Sequence, residues 1–162
     1  MNDSKYGISC EGNRMELTLL KSAIFPDESA DKGMQEFTYA LTLWDGPFAS
    51  SKVIQKAYEL NVAPLVCKGI RADGSLLTTD NTNIIIDCVK KSEHDDGAMV
   101  IRAYECMGSR SRTKLRFNFP VQKCCESDML EEVMRDLPID NGAVDLVFRA
   151  FEVKTLVLNA RK

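Results

Sequence analysis

The side chains of this 162-residue chain that could do chemistry are mostly carboxylates: 24 Asp and Glu, against a single histidine and six cysteines. Two carboxylates facing each other across a sugar can hydrolyse a glycosidic bond, one as acid and the other as base or nucleophile. The densest local cluster is Pro26-Asp27-Glu28-Ser29-Ala30-Asp31, whose acids fall in a loop after a predicted strand. The same residue types also cap turns, so the cluster fits either a ligand site or a solvated loop. Trp44, the one tryptophan, offers a ring that can stack on the apolar face of a pyranose or pack beside a strand. His94 lies in the polar run Ser92-Glu93-His94-Asp95-Asp96-Gly97, which reads as a hairpin turn. A chain with one histidine cannot build a His-based zinc site, and no Ser–His or Cys–His pair is available to activate a nucleophile. Cys10, Cys67, Cys88, Cys106, Cys124 and Cys125 read as reduced thiols. Cys88 and Cys106 sit in predicted strands, where free Cys packs as a small hydrophobe. The adjacent Cys124 and Cys125 lack a C-x-x-C partner or a nearby His. No P-loop, G-x-G-x-x-G or G-x-S-x-G is present.

A formal net charge of −3 gives no electrostatic reason to expect nucleic acid or an anionic membrane as partner. Residues 1–60 hold nine acids and six bases and the remainder fifteen of each, so the acidity is local to the first part. No apolar run reaches 18 residues and no charged-then-apolar leader opens the chain, so neither a membrane span nor a signal peptide is expected.

The elements that must position these groups are mostly strands. Period-two alternation runs through Arg14–Leu20, Phe37–Trp44 and Thr113–Pro120, placing Met15, Leu17 and Leu19, then Tyr39, Leu41 and Leu43, then Leu115, Phe117 and Phe119 on common faces. Residues 84–89, 98–106, 144–151 and 153–158 read as further strands. One helix is predicted near 51–60, capped by Ser50 or Ser51, with Val53, Ile54, Ala57, Tyr58 and Leu60 as its apolar stripe and Asn61 at its end. A second helical turn is predicted over Asp128–Leu137, closed by Pro138. Three strands precede the first helix, too few to cover their own apolar stripes, and about six follow it, enough for an independent antiparallel sandwich. The fold class is therefore all-β with one short helix, divided into residues 1–60 and 61–162. Leu115, Phe117, Phe119, Leu146 and Phe148 are the expected core of the second part.

Several of these segments, taken in order, resemble glycoside hydrolase family 38, the α-mannosidases of the cytosolic and bacterial type. They are Asn-Asp-Ser-Lys-Tyr-Gly at Asn2–Gly7, Leu17–Ser22 with Pro26-Asp27, Ala30–Leu41, Ala-Tyr-Glu-Leu-Asn at Ala57–Asn61, Leu-Arg-Phe-Asn-Phe-Pro-Val at Leu115–Val121, and Phe-Arg-Ala-Phe-Glu-Val-Lys-Thr-Leu-Val-Leu at Phe148–Leu158. The resemblance covers nearly the whole chain and departs at three places. Gln35 stands where the family pattern has His, Leu43-Trp44 where it has Pro-His, and Ala150 where it has Pro.

The resemblance implies that residues 1–60 form the last strands of a mutarotase-like supersandwich and that a smaller C-terminal β-sandwich follows. It implies a retaining hydrolysis of terminal α-mannosides through a covalent mannosyl intermediate. The zinc ion, the Asp nucleophile and the acid/base residue would then lie in a barrel domain outside this chain, so the chain alone is expected to be inactive, to bind no cofactor and to supply scaffold and one wall of the sugar cleft. Lys21, at a strand end where Arg is common in the family, is expected to reach toward substrate, joining Asp27, Asp31 and Trp44. The expected compartment is the cytoplasm, and self-association is expected through the apolar faces before Ser50. A stand-alone carbohydrate-binding module and a purely structural or oligomerisation domain are the alternatives.

Overall fold

The computed structural model describes residues 6–66, 68–69 and 73–160. The chain divides into two compact units, Met1–Cys67 and Lys68–Lys162.

In the first unit, β1 (Ile8–Glu11) and β2 (Arg14–Leu17) form an antiparallel hairpin. Gly12, at φ +58, supplies the left-handed residue of its turn. The register sets Ile8 opposite Leu17 and Cys10 opposite Met15, so these four share one face. A one-turn 3-10 helix at Phe48–Ser50 leads into α1 (Val53–Asn61). The predicted helix is present, but its N-cap is Lys52, which makes no side-chain cap bond. Ser51 Oγ accepts a long 3.4 Å bond from Val53 N. Asn61 closes the last turn by donating Nδ2 to Ala57 O at 2.8 Å. Residues 37–44 do not form the expected strand. Of this stretch only Tyr39 is in a bridge.

The second unit is an antiparallel sandwich. One sheet holds β4 (Ile84–Lys91), β5 (Ala98–Glu105), β10 (Val153–Ala160), β7 (Val121–Ser127) and β8 (Val133–Leu137), in that order. The other holds β3 (Leu77–Thr79), β6 (Ser111–Phe117) and β9 (Ala143–Phe148). Alternate residues of the two sheets meet in one core that includes Ile101, Leu115, Phe117, Leu146, Phe148, Leu156 and Leu158. Phe119 packs against it partly buried, its ring edge-on to Phe117 at 6.1 Å. The sequence thus identifies the inward face of β6 and β9 correctly.

The helical turn expected over Asp128–Leu137 is instead a tight loop followed by β8. Asp128 Oδ1 accepts the amides of Leu130 and Glu132 at 2.9 and 3.0 Å, and Glu131 takes φ +70, which no helix allows. Pairing with β7 then outweighs the helix propensity of Leu-Glu-Glu. The loop folds over the outer face of the five-stranded sheet. Met129 O accepts from Arg102 Nη2 at 2.9 Å, and the Glu131 carboxylate takes Ser92 Oγ at 2.9 Å, Glu93 N at 2.8 Å and the Lys90 ammonium at 2.7 Å.

Two further carboxylates are buried. Glu126 meets Lys154 Nζ at 2.6 Å, and Arg135 covers the pair from the outer edge through a 2.9 Å Nε bond. Burial raises the Glu126 carboxyl, but the Lys154 and Arg135 hydrogen bonds outweigh it and hold the group below its ordinary range. Glu105 is fully buried with no cation beside it. It accepts Met107 N, Gly108 N, Ser109 N, Ser109 Oγ and Phe151 N at 2.8–3.1 Å.

Truncating Phe117 to Ala should cost about 3–5 kcal/mol in a denaturant melt, as for a buried aromatic. A cost below about 1 kcal/mol would show that the inward face of β6 is misplaced.

Glu131 gives a pH-dependent prediction. Its hydrogen bonds from Lys90 and from the Glu93 amide lower its pKa from 4.5 to about 2. A depressed acid stabilises the fold fully above its unfolded pKa and loses that contribution as pH falls through its folded one. The stability gap between the native chain and Glu131→Gln should therefore be widest at neutral pH and close between about pH 4.5 and pH 2. Urea melts at stepped pH measure it, and a gap independent of pH would contradict the assignment.

Candidate functional site

A groove of about 550 Å³ lies in the first unit. The hairpin gives one side through Ile8, Met15 and Leu17, and the stretch before the 3-10 turn gives another through Tyr39, Ala40, Leu41, Thr42 and Trp44. Consecutive residues line this side, so the alternation expected from the sequence does not govern it. Trp44 is held from the groove margin by Phe48, whose ring meets it edge-on at 6.0 Å and 70°. The 3-10 turn that carries Phe48 is closed by Ser50 N and Ser50 Oγ, both donating to Pro47 O, at 3.0 and 2.8 Å. About half of the Trp44 surface stays open to solvent.

The four residues expected at a substrate site do not form one cluster. Trp44 lines the groove, whereas Lys21, Asp27 and Asp31 are absent from its lining. Asp31 closes the loop that follows Lys21: its carboxylate accepts the Ser22 amide at 3.2 Å and the Tyr6 hydroxyl, and its backbone is left-handed at φ +60. Asp27 sits within that loop, exposed, accepting Ser29 Oγ at 2.7 Å and Ser29 N at 2.8 Å. Those two bonds hold the Asp27 carboxyl below its ordinary value. Both carboxylates thus shape a turn, and Lys21 stands exposed at its mouth. Gln35 is exposed as well. Residues 2–5 of the first family-like segment, and Cys67, lie outside the described residues.

A general acid for glycoside hydrolysis needs a carboxyl raised toward neutral pH. Among the described residues, the carboxyls that depart from their ordinary values all depart downward: Asp27, Asp80, Glu105, Glu126, Glu131, Asp136 and Glu152. The thiols of Cys106, Cys124 and Cys125 shift upward. Burial pushes Cys124 up to about 12, where it is no nucleophile. Its neighbour Cys125 points to the opposite face and donates to Asp136 Oδ1 at 3.2 Å, so the pair cannot share a metal ion. Among the described residues no three His, Cys, Asp or Glu side chains converge as metal ligands.

Two features of the second unit escaped sequence reasoning. The outer face of the three-stranded sheet carries a polar groove of about 480 Å³ with Asp80, Arg112, Lys114 and Asp145 in its lining. The corner around Glu105 joins residues 107–109 to Phe151 across more than 40 positions of sequence, a pairing no local pattern announces.

Comparison with known proteins gives one consistent result. Residues 83–156 match the family described as "Glycosyl hydrolases family 38 C-terminal beta sandwich domain". The chain is 34% identical to alpha-mannosidase 2C1 of Mus musculus over 168 aligned residues, which cover 98% of the chain and 16% of that protein. It is 32% identical to alpha-mannosidase G of Dictyostelium discoideum, over 96% of the chain and 15% of the relative. It is 30% identical to an alpha-mannosidase of Saccharomyces cerevisiae, over 81% of the chain and 14% of the relative. The chain therefore spans about one sixth of the length of the curated relatives it matches.

Proposed function

This chain belongs to the C-terminal region of glycoside hydrolase family 38, and on that premise we propose that it is the non-catalytic β domain of an α-mannosidase-like hydrolase. It supplies scaffold and one wall of the sugar cleft, and terminal α-mannosides are the substrate class. Retaining hydrolysis requires two carboxylates about 5 Å apart and an activated acid. In this reading both belong, with the zinc ion, to residues beyond the segment that the chain and its relatives share.

The observation that carries the reading is Trp44 at the margin of the apolar groove, half open and braced by Phe48. Such a ring can stack against the C–H face of a mannosyl unit. The hairpin and the extended segment before α1 serve as the end of a larger sheet. The compartment proposed is the cytoplasm, which suits thiols left free at Cys10, Cys88, Cys106, Cys124 and Cys125. Among the described residues no helix is long and apolar enough to cross a membrane.

Trp44 is the only tryptophan, so its fluorescence reports on the groove alone. Methyl α-mannoside should change that emission saturably while the chain releases no nitrophenol from a chromogenic mannoside. Turnover above a no-enzyme blank, or emission indifferent to the sugar, would overturn the proposal.

The first unit also leaves apolar side chains uncovered: Met15, Leu41 and Leu43 are 61%, 73% and 86% exposed. An exposed patch of this kind favours association. Light scattering should find the isolated chain self-associated, and a chain beginning near Ser50 should not associate. A strictly monomeric full chain would contradict this.

A further inference from the structure

The Arg149–Glu152 turn, between β9 and β10, breaks a local rule. It is closed by Glu152 N donating to Arg149 O at 3.1 Å, and its third residue, Phe151, has φ +56. That position suits Gly or Asn; a bulky side chain there is strained. The fold holds the strained residue by two means. The buried Glu105 carboxylate takes the Phe151 amide at 3.1 Å together with the amides of Met107, Gly108 and Ser109, fixing both turns to one point. The ring then rests on Gly108, where an added Cβ would come within 2.7 Å of Phe151 Cζ. Despite this support Phe151 is 70% exposed, so the arrangement presents the ring to solvent instead of burying it. A rule broken without a packing gain marks a functional position.

The polar groups of the same turn are fixed too. Arg149 Nε and Nη2 both donate to Glu152 Oε1, at 3.2 and 3.1 Å, and the Arg149 side chain is 84% exposed. A guanidinium has five N–H donors, so those two bonds leave the others for a ligand. An aromatic ring and an oriented Arg–Glu pair carried on one turn are the chemistry that recognises a pyranoside: C–H groups stack on the ring while hydroxyls meet donor and acceptor.

We propose that the Phe151 corner is a second saccharide-binding site, separate from the Trp44 groove, in which Phe151 stacks on a pyranoside ring and Arg149 with Glu152 binds its hydroxyls. Glu105 and Gly108 are positioning residues: they hold the ring and touch no sugar. The choice of mannoside as probe rests on the family reading of the previous section. The site itself rests on the corner.

The test is an amide-resolved NMR titration of the whole chain with methyl α-mannoside. Amides of Gly108, Ser109 and Phe151 should shift saturably. Phe151→Asn, which keeps a residue tolerant of left-handed backbone, should fold with an unchanged or higher Tm and weaken binding at these amides by about threefold or more. Phe151→Tyr, which keeps the ring, should retain it. Shifts confined to the Trp44 groove would overturn this site while leaving the groove reading intact. Corner shifts without any response at Trp44 would do the reverse. A Phe151→Asn chain that melts lower and whose native parent shows no corner shifts would make the ring a structural plug and end the proposal.

Discussion

The pairing of β10 with both β5 and β7 is the interaction on which the second unit depends. A strand flanked on both sides must satisfy both of its faces. Inward, Leu156 and Leu158 enter the core against β6 and β9, and outward Val157 joins Ala98 and Val100 in a smaller buried cluster. The same register places Lys154 on the inner side, where it needs a counter-charge, and Glu126 of the neighbouring strand supplies it beneath the Phe148 ring. Removing either partner would strand a buried charge, which costs far more than a surface ion pair returns. The Asp128–Glu132 loop and the Glu105 corner follow from this pairing. One lies over the outer face beside Thr155, through its bond to Met129, and the other ties the turn that feeds β10 to the end of β5.

The sandwich was legible in the sequence because its strands alternate with large side chains. Leu115, Phe117, Leu146 and Phe148 announce an inward face by type and spacing, and the structure buries all four. The first unit was less legible. Alternation over residues 37–44 groups Tyr39, Leu41 and Leu43, but the structure leaves these three open at 64%, 73% and 86% exposure and half-buries Phe37, Ala40 and Thr42 instead. Asp128–Leu137 misled because its Leu-Glu-Glu run favours a helix locally while Asp128 and β7, distant in effect or in sequence, decide the outcome. Of the site residues, Trp44 could be named from its type alone. That Asp27 and Asp31 spend their carboxylates on Ser29, Ser22 and Tyr6 is a matter of loop geometry that composition does not carry. Glu105 was illegible for the opposite reason: an acid at a strand end reads as solvated until its five donors are seen.

The proposed function has the chain separate binding from chemistry. The shifted carboxyls Asp27, Asp80, Glu105, Glu126, Glu131, Asp136 and Glu152 are lowered, which suits structural ions and counter-charges and is the wrong direction for a general acid. Two of its exposed rings, Trp44 and Phe151, lie in different units, each braced by a neighbour. That division fits a region that makes up about one sixth of the α-mannosidases it matches.

The central claim is that this chain completes a mannosidase without performing its chemistry. The direct measurement is a domain exchange in which the chain replaces its matched segment in the Saccharomyces cerevisiae α-mannosidase, with kcat/KM for an α-mannoside as readout. A folded chimera should hydrolyse the mannoside, and Trp44→Ala within it should lower kcat/KM while leaving the melting temperature in place. A folded chimera without activity, or one indifferent to Trp44→Ala, would contradict the account.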